Sequence, residues 1–206
     1  EFGLSSLDKP DSRDAQRGWA ITTQHVQKDF LGGKNKLAFQ YGEGPDTGLG
    51  YTGNVKLDDS NKSYRIVEFF DWQLTPRFGG QIEAVYQKDI RPDGADQNWL
   101  SLGVRPTYAL TEQFKLVTEL GHDQVEAPGG TRKLSKFTVA PTWSPKGPEF
   151  WARPEVRLYY TYASWNEAAK RAANELAQGS ALSDTGAFGT ARHGANVGLQ
   201  VEYWWK

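Results

Sequence analysis

From Leu100 onward the chain alternates: Leu100, Leu102, Val104, Pro106, Tyr108 and Leu110 fall in one phase, and Ser101, Gly103, Arg105 and Thr107 in the other. A two-residue period puts successive side chains on opposite faces of a strand, so one face is greasy and the other wet. The last segment repeats the pattern, with Val197, Leu199, Val201, Tyr203 and Trp205 opposed to Asn196, Gly198, Gln200, Glu202 and Trp204. Segment 62–74 is ambiguous, because Glu68 shares a phase with Tyr64, Ile66, Phe70 and Trp72. The period predicts nine strands, near 17–27, 34–43, 62–74, 78–90, 97–110, 114–126, 131–143, 149–165 and 191–205. Several exceed the usual globular strand of about 5–6 residues. They approach the tilted strands of about 9–11 embedded residues that cross a bilayer.

The predicted connections alternate in length. Gln27–Gly33, Thr75–Arg77, Thr111–Gln113 and Ser144–Pro148 are mostly tight turns. Between them come 44–61, 91–96, 127–130 and 166–190, of which 44–61 and 166–190 are long. Short turns on one rim and longer loops on the other is the layout of an outer-membrane barrel. The segment NEAAKRAANELA (166–177) is the one helical stretch, and it falls inside the longest loop.

Composition sharpens this. The 206 residues imply one domain, and a net charge of −1 gives no electrostatic case for nucleic acid. There is no cysteine, so disulfides and thiolate chemistry are excluded. No run of about 18 apolar residues marks a transmembrane helix. No signal peptide is visible, so a mature chain or one lacking its true beginning is expected. A mean hydropathy of −0.66 coexists with 13% aromatics, including eight tryptophans and nine tyrosines. A polar, glycine-rich, aromatic chain suits a barrel with one greasy face, one wet face and aromatic girdles. The expected fold is therefore all-β, an antiparallel transmembrane β-barrel of outer-membrane porin type. Carbohydrate-binding β-proteins share the composition, so a soluble sugar-binding β-module remains an alternative.

In the segment EFWARPEVRLYYTYASW, Val156, Leu158, Tyr160 and Tyr162 share the greasy phase, yet Trp151 falls with Arg153, Glu155 and Arg157. Trp204 likewise shares the wet phase with Gln200 and Glu202. Lipid contact does not explain tryptophans there. Sugars present flat C–H faces as well as hydroxyls, so an indole stacks on them while neighbouring Arg and Glu exchange hydrogen bonds. Trp151 and Trp204 are thus candidate sugar-stacking residues, with Arg153, Glu155, Arg157, Gln200 and Glu202 as polar lining. Spacing alone equally allows both tryptophans to belong to interfacial girdles or to pack on an inner loop.

Other chemistry finds little support. His25, His122 and His193 have no ligand spacing and are expected near strand ends or loops, so no metal site is predicted. No serine and histidine pair demands catalysis, and no catalytic residue or cofactor is expected. GEGPDTGLG (42–50) lacks the following helix of a phosphate cradle and reads as a mobile outer loop. LDDSN (57–61) reads as a solvated loop rather than a calcium site. The wet-phase charges Arg105, Lys115, Glu119, Arg153, Glu155 and Arg157 are mixed, which suits neutral sugars.

The runs FWARPEVRLYYTYASW (150–165), GANVGLQVEYWW (194–205), LGVRPTYAL (102–110) and GWAITTQHVQ (18–27) resemble the maltoporin (LamB-like) family of outer-membrane sugar porins. The similarity runs in order from about residue 17 to the end. It implies a trimeric barrel of roughly 18 strands in the outer membrane of a Gram-negative cell. Such a barrel passes maltose and maltodextrins by passive diffusion along a line of aromatic residues, contacts lipid, and catalyses nothing. Two positions of that aromatic slide match Trp151 and Trp204. A third reads Lys34, with Phe30 nearby but out of register, which keeps sucrose and β-glucoside porins as alternatives. Nine strands correspond to the family's C-terminal half. Two open edges cannot stand unpaired in lipid, so either the chain is a fragment of a longer protein or a second chain completes the wall. Lys206 follows the usual aromatic terminus, a further departure.

Overall fold

A computed structural model describes residues 2–7, 15–49 and 53–205. They form a single antiparallel sheet of ten strands in sequential order, each hydrogen-bonded to its chain neighbours. The strands are β1 (Phe2–Leu7), β2 (Gly18–Phe30), β3 (Gly33–Glu43), β4 (Lys62–Thr75), β5 (Phe78–Ile90), β6 (Gln97–Ala109), β7 (Phe114–Ala127), β8 (Gly130–Trp143), β9 (Glu155–Trp165) and β10 (His193–Glu202). From β2 onward they run ten to fourteen residues. A helix, α1 (Glu167–Leu176), lies between β9 and β10. β1 was not predicted; its backbone pairs with β2 from Phe2↔Thr23 to Leu7↔Gly18. β1 and β10 do not pair with each other, so the sheet is open.

The predicted strand 149–165 starts only at Glu155. Pro145, Pro148 and Pro154 have no amide proton for a ladder, and they hold 144–154 out of the sheet. The β2–β3 hairpin turns on Leu31 and Gly32, with φ of 48° and 74°. Two positive φ values make the type I′ geometry that matches strand twist.

Register settles the faces. Phe39, Ile66, Tyr86 and Leu100 line up across β3–β6 on one face, and Phe137, Tyr162 and Ala195 across β8–β10. The ambiguous strand β4 turns Tyr64, Ile66, Phe70 and Trp72 to this face together with Glu68, and Phe69 and Asp71 to the other. The connection between β8 and β9 reaches Asp71 and Gln73 on β4, so the sheet curls toward the face that carries them. The apolar rows therefore lie on the convex wall. They are open to the surroundings: Leu158 is 53% exposed and Leu199 68%. On the concave wall the most buried side chains include Lys115, Glu155, Thr142 and Thr107. A sheet greasy outside and polar inside inverts the arrangement of a water-soluble core.

Aromatic rings gather near both rims of the wall. At the short-turn rim Phe30 meets Phe70, Phe70 meets Trp72, Trp72 meets Phe78, and Tyr203 meets Trp205. At the long-loop rim Trp19 and Tyr41 are in contact, and both donate to Glu43. Trp72 lies across Gly80, where a Cβ would collide with its ring, which explains both the glycine and the burial of the indole.

Within the segment 42–50, expected to be a mobile outer loop, the described residues 42–49 pack against the wall. Gly44–Gly48 forms a 3₁₀ turn with Gly44, Pro45, Asp46 and Gly48 buried. The carbonyl of Leu49 accepts from Gln40 and Arg65, which project from the concave wall. The loop thus folds inward over that wall.

Candidate functional site

Three segments converge on the concave side at the short-turn rim. The first is the strap 144–154 between β8 and β9. Ser144 N donates to Gln113 O at 2.7 Å, which ties the strap to the β6–β7 turn, and Ala152 N donates to Glu149 O at 3.1 Å, which folds the strap back on itself. Lys115 Nζ donates to the Glu149 carbonyl at 2.9 Å. Phe150 N donates to Gln73 Oε1 at 3.2 Å, and Trp151 Nε1 to Asp71 Oδ2 at 2.9 Å. Trp151 therefore reaches the concave side through the strap, not through strand alternation.

The second segment follows β10. The Trp204 ring centroid lies 5.8 Å from that of Trp151, tilted 40°. The Arg153 guanidinium sits 4.6 Å from the Trp204 centroid, a cation–π contact. Both indoles remain about half exposed, at 45% and 48%. The third segment is the inner row of β4, with Phe69, Asp71 and Gln73. Asp29, Gly32, Gly33, Lys34, Lys36, Phe69, Asp71 and Trp151 together line a cavity of about 460 Å³.

An ion cluster underlies the two indoles. Glu155 Oε2 lies 2.9 Å from Lys115 Nζ and 3.3 Å from Arg153 Nη1, and Glu155 Oε1 contacts Arg157. Glu202 receives Arg153 Nε and Arg157 Nη2, each at 2.9 Å. Lys115 and Glu155 are 1% exposed at the side chain. Three cations and two carboxylates thus fasten β7, β9, β10 and the strap together. Tyr159 lies across Gly198 on the same wall, where a Cβ would collide with its hydroxyl.

Among the predicted lining residues, the structure separates two groups. Gln200 is exposed and Glu202 half-buried at the rim of the aromatic pair. Glu155, expected among the polar lining, is buried under three cations and braces the wall. Arg153 and Arg157 are largely enclosed in the same cluster. Lys34 faces the concave side opposite Asp71. Sequence reading missed Phe69 and Asp71, because Glu68 blurred the phase of their strand. Lys115 was placed in the right phase, but its burial depends on the strap, which no local pattern reveals.

The histidines do not sit as expected, since His25 and His122 lie within strands. His122 Nδ1 is 2.8 Å from Ser135 Oγ, and His193 stacks on Tyr162. Among the described residues no cluster of three or more His, Asp or Glu is placed to hold a metal. The Asp58 carboxylate binds Ser60 and Asn61 instead, closing its own turn. Lys206 lies outside the described residues.

A protein-family model described as LamB porin matches residues 1–205. The chain belongs to the LamB porin family. That is a family of sugar channels of the outer membrane, not of enzymes, and the inside-out wall described above is what such a channel requires. No described helix is long and apolar enough to cross a membrane.

Proposed function

We propose that the chain forms the wall of a passive, selective channel for maltose and maltodextrins in the outer membrane of a Gram-negative cell. Trp151 and Trp204 stack the apolar faces of successive sugar rings. Gln200 and Glu202 exchange hydrogen bonds with the hydroxyls. The observation that carries this reading is the pair of half-exposed indoles in contact on the polar concave wall. Two apolar rings left open to water on such a wall have a use when a solute with a flat apolar face covers them. The exposed apolar convex wall argues against a soluble sugar-binding module.

The free edges of β1 and β10 leave rows of unpaired backbone groups, each costing several kcal/mol in hydrocarbon. In the working channel these edges pair with further strands, and the closed barrels assemble as a trimer. Lys34 favours a second reading, a sucrose or β-glucoside porin, because it stands where the maltoporin pattern carries an aromatic.

The test is single-channel current in a planar bilayer, with maltohexaose titrated against sucrose and an inert sugar. Saturable block by maltohexaose is expected. Trp151→Ala weakens it roughly tenfold, the value of one stacked ring at about 1.4 kcal/mol, with little change in open conductance. Block by sucrose alone selects the second reading. A Trp151→Ala, Trp204→Ala channel that blocks as tightly as the parent overturns the role of the ring pair.

A further inference from the structure

We propose that Phe69 is a third stacking platform, forming with Trp151 a cleft that holds one pyranose unit beyond the indole pair. This rests on the sugar-channel reading of the same wall and adds a subsite to it. Phe69 stands on the concave face of β4 between Lys36 of β3 and Glu83 of β5, its register partners. Phe69 is only half-buried there. Its contact across the wall is a cation, Lys36 Nζ, 5.3 Å from the ring centroid.

The cleft has two apolar sides and polar ends. Phe69 and Trp151 line the same cavity of about 460 Å³, a size within the usual range for small-molecule sites. Asp71 lies two residues along the strand from Phe69, on the same face, and binds the Trp151 indole N–H at 2.9 Å. That hydrogen bond fixes the indole edge against β4. The spacing of two residues along a strand is about 6.6 Å, comparable to the length of one hexose unit. No carboxylate among the described residues lies within ion-pair distance of Lys34 or Lys36 in this structure, so the Lys34 ammonium is available to ring and hydroxyl oxygens while Lys36 holds one face of Phe69. A saccharide passing from the Trp204–Trp151 pair therefore meets a third ring and a new set of donors at the short-turn rim.

The experiment is calorimetric titration of maltohexaose into the full chain refolded in detergent micelles, with the parent beside Phe69→Ala, Phe69→Leu, Phe69→Tyr and the double tryptophan variant. Phe69→Ala is expected to weaken binding about tenfold. Phe69→Tyr keeps a π face and retains parental affinity. Phe69→Leu keeps apolar volume without a flat ring, so it falls with the alanine variant if the ring stacks. Parental affinity in Phe69→Leu means that Phe69 only fills space, and the subsite is refuted. Parental affinity in Phe69→Ala, with binding lost in the double tryptophan variant, refutes the subsite and leaves the indole pair standing. A parent chain that does not bind maltohexaose refutes both readings together.

Discussion

Replacing Glu155 by glutamine should cost far more than replacing its partner Lys115 by methionine. The cluster holds Lys115, Arg153 and Arg157 against Glu155 and Glu202, three positive charges to two negative. Each contact near 3 Å corresponds to roughly 5 kcal/mol of raw attraction at an effective dielectric of about 20, before desolvation is subtracted. Lys115→Met leaves Glu155 with two guanidinium partners, and it removes the hydrogen bond to the Glu149 carbonyl. The expected loss is about 2 kcal/mol, the value of one charged hydrogen bond. Glu155→Gln leaves three enclosed cations to share Glu202, which only the two arginines touch. Breaking a buried pair this way costs about 3–5 kcal/mol. The double variant restores the original charge imbalance of one, so it should be no less stable than Lys115→Met by more than about 1 kcal/mol. Urea unfolding in lipid vesicles, followed by tryptophan fluorescence, measures all four proteins. Equal losses for the two single variants, or additive losses in the double, would refute this account of the cluster.

Two further predictions address the wall and the long loop. Leu158→Arg on the convex face should destabilise the inserted chain by about 2–4 kcal/mol if the residue lies near the bilayer midplane, whereas Thr161→Arg, facing the concave side, should cost much less; equal penalties in vesicle refolding would contradict the assigned facing. In the loop, Lys170 and Asn174 of α1 bind Asp184 and hold its carboxyl below the ordinary aspartate value of 3.8. A lowered folded-state pKa contributes stability that is present above 3.8 and lost as pH falls through the lowered value. Amide exchange in α1, corrected for intrinsic rate, should therefore accelerate in that acidic window for the parent and not for Asp184→Asn.

Legibility in the sequence followed the reach of each interaction. On β6, β9 and β10 the greasy phase is set by contact with the surroundings, one residue at a time, and alternation reports it directly. The strand β4 defeated the same reading because a single outward Glu68 erased the contrast between its faces. Register with β3 and β5 resolves it, and register is a property of neighbouring strands, not of one segment. The misreading at 149–154 has a different origin. Alternation of Trp151, Arg153 and Glu155 continues across Pro154, but the ladder does not, and the prolines at 145, 148 and 154 were the local signal that it would stop. Trp151 was placed on the correct wall for the wrong reason.

On the proposed function, that wall answers a problem which a stacking channel poses. The rings must stay exposed to a moving solute, so they cannot be held by burial, yet a ring free to rotate loses entropy each time a sugar settles on it. Here the rings stay about half exposed while both are tied in place. Asp71 holds the indole N–H of Trp151, and Arg153 lies on Trp204 while its own charge is fixed by Glu155 and Glu202. The buried charges thus act at one remove from the solute, as the anchor of a mobile-looking surface. Removing the anchor and removing a ring should then differ in kind. On that proposal, loss of a ring is expected to weaken sugar binding in a folded wall, whereas loss of Glu155 is expected to loosen the strap and both rings together.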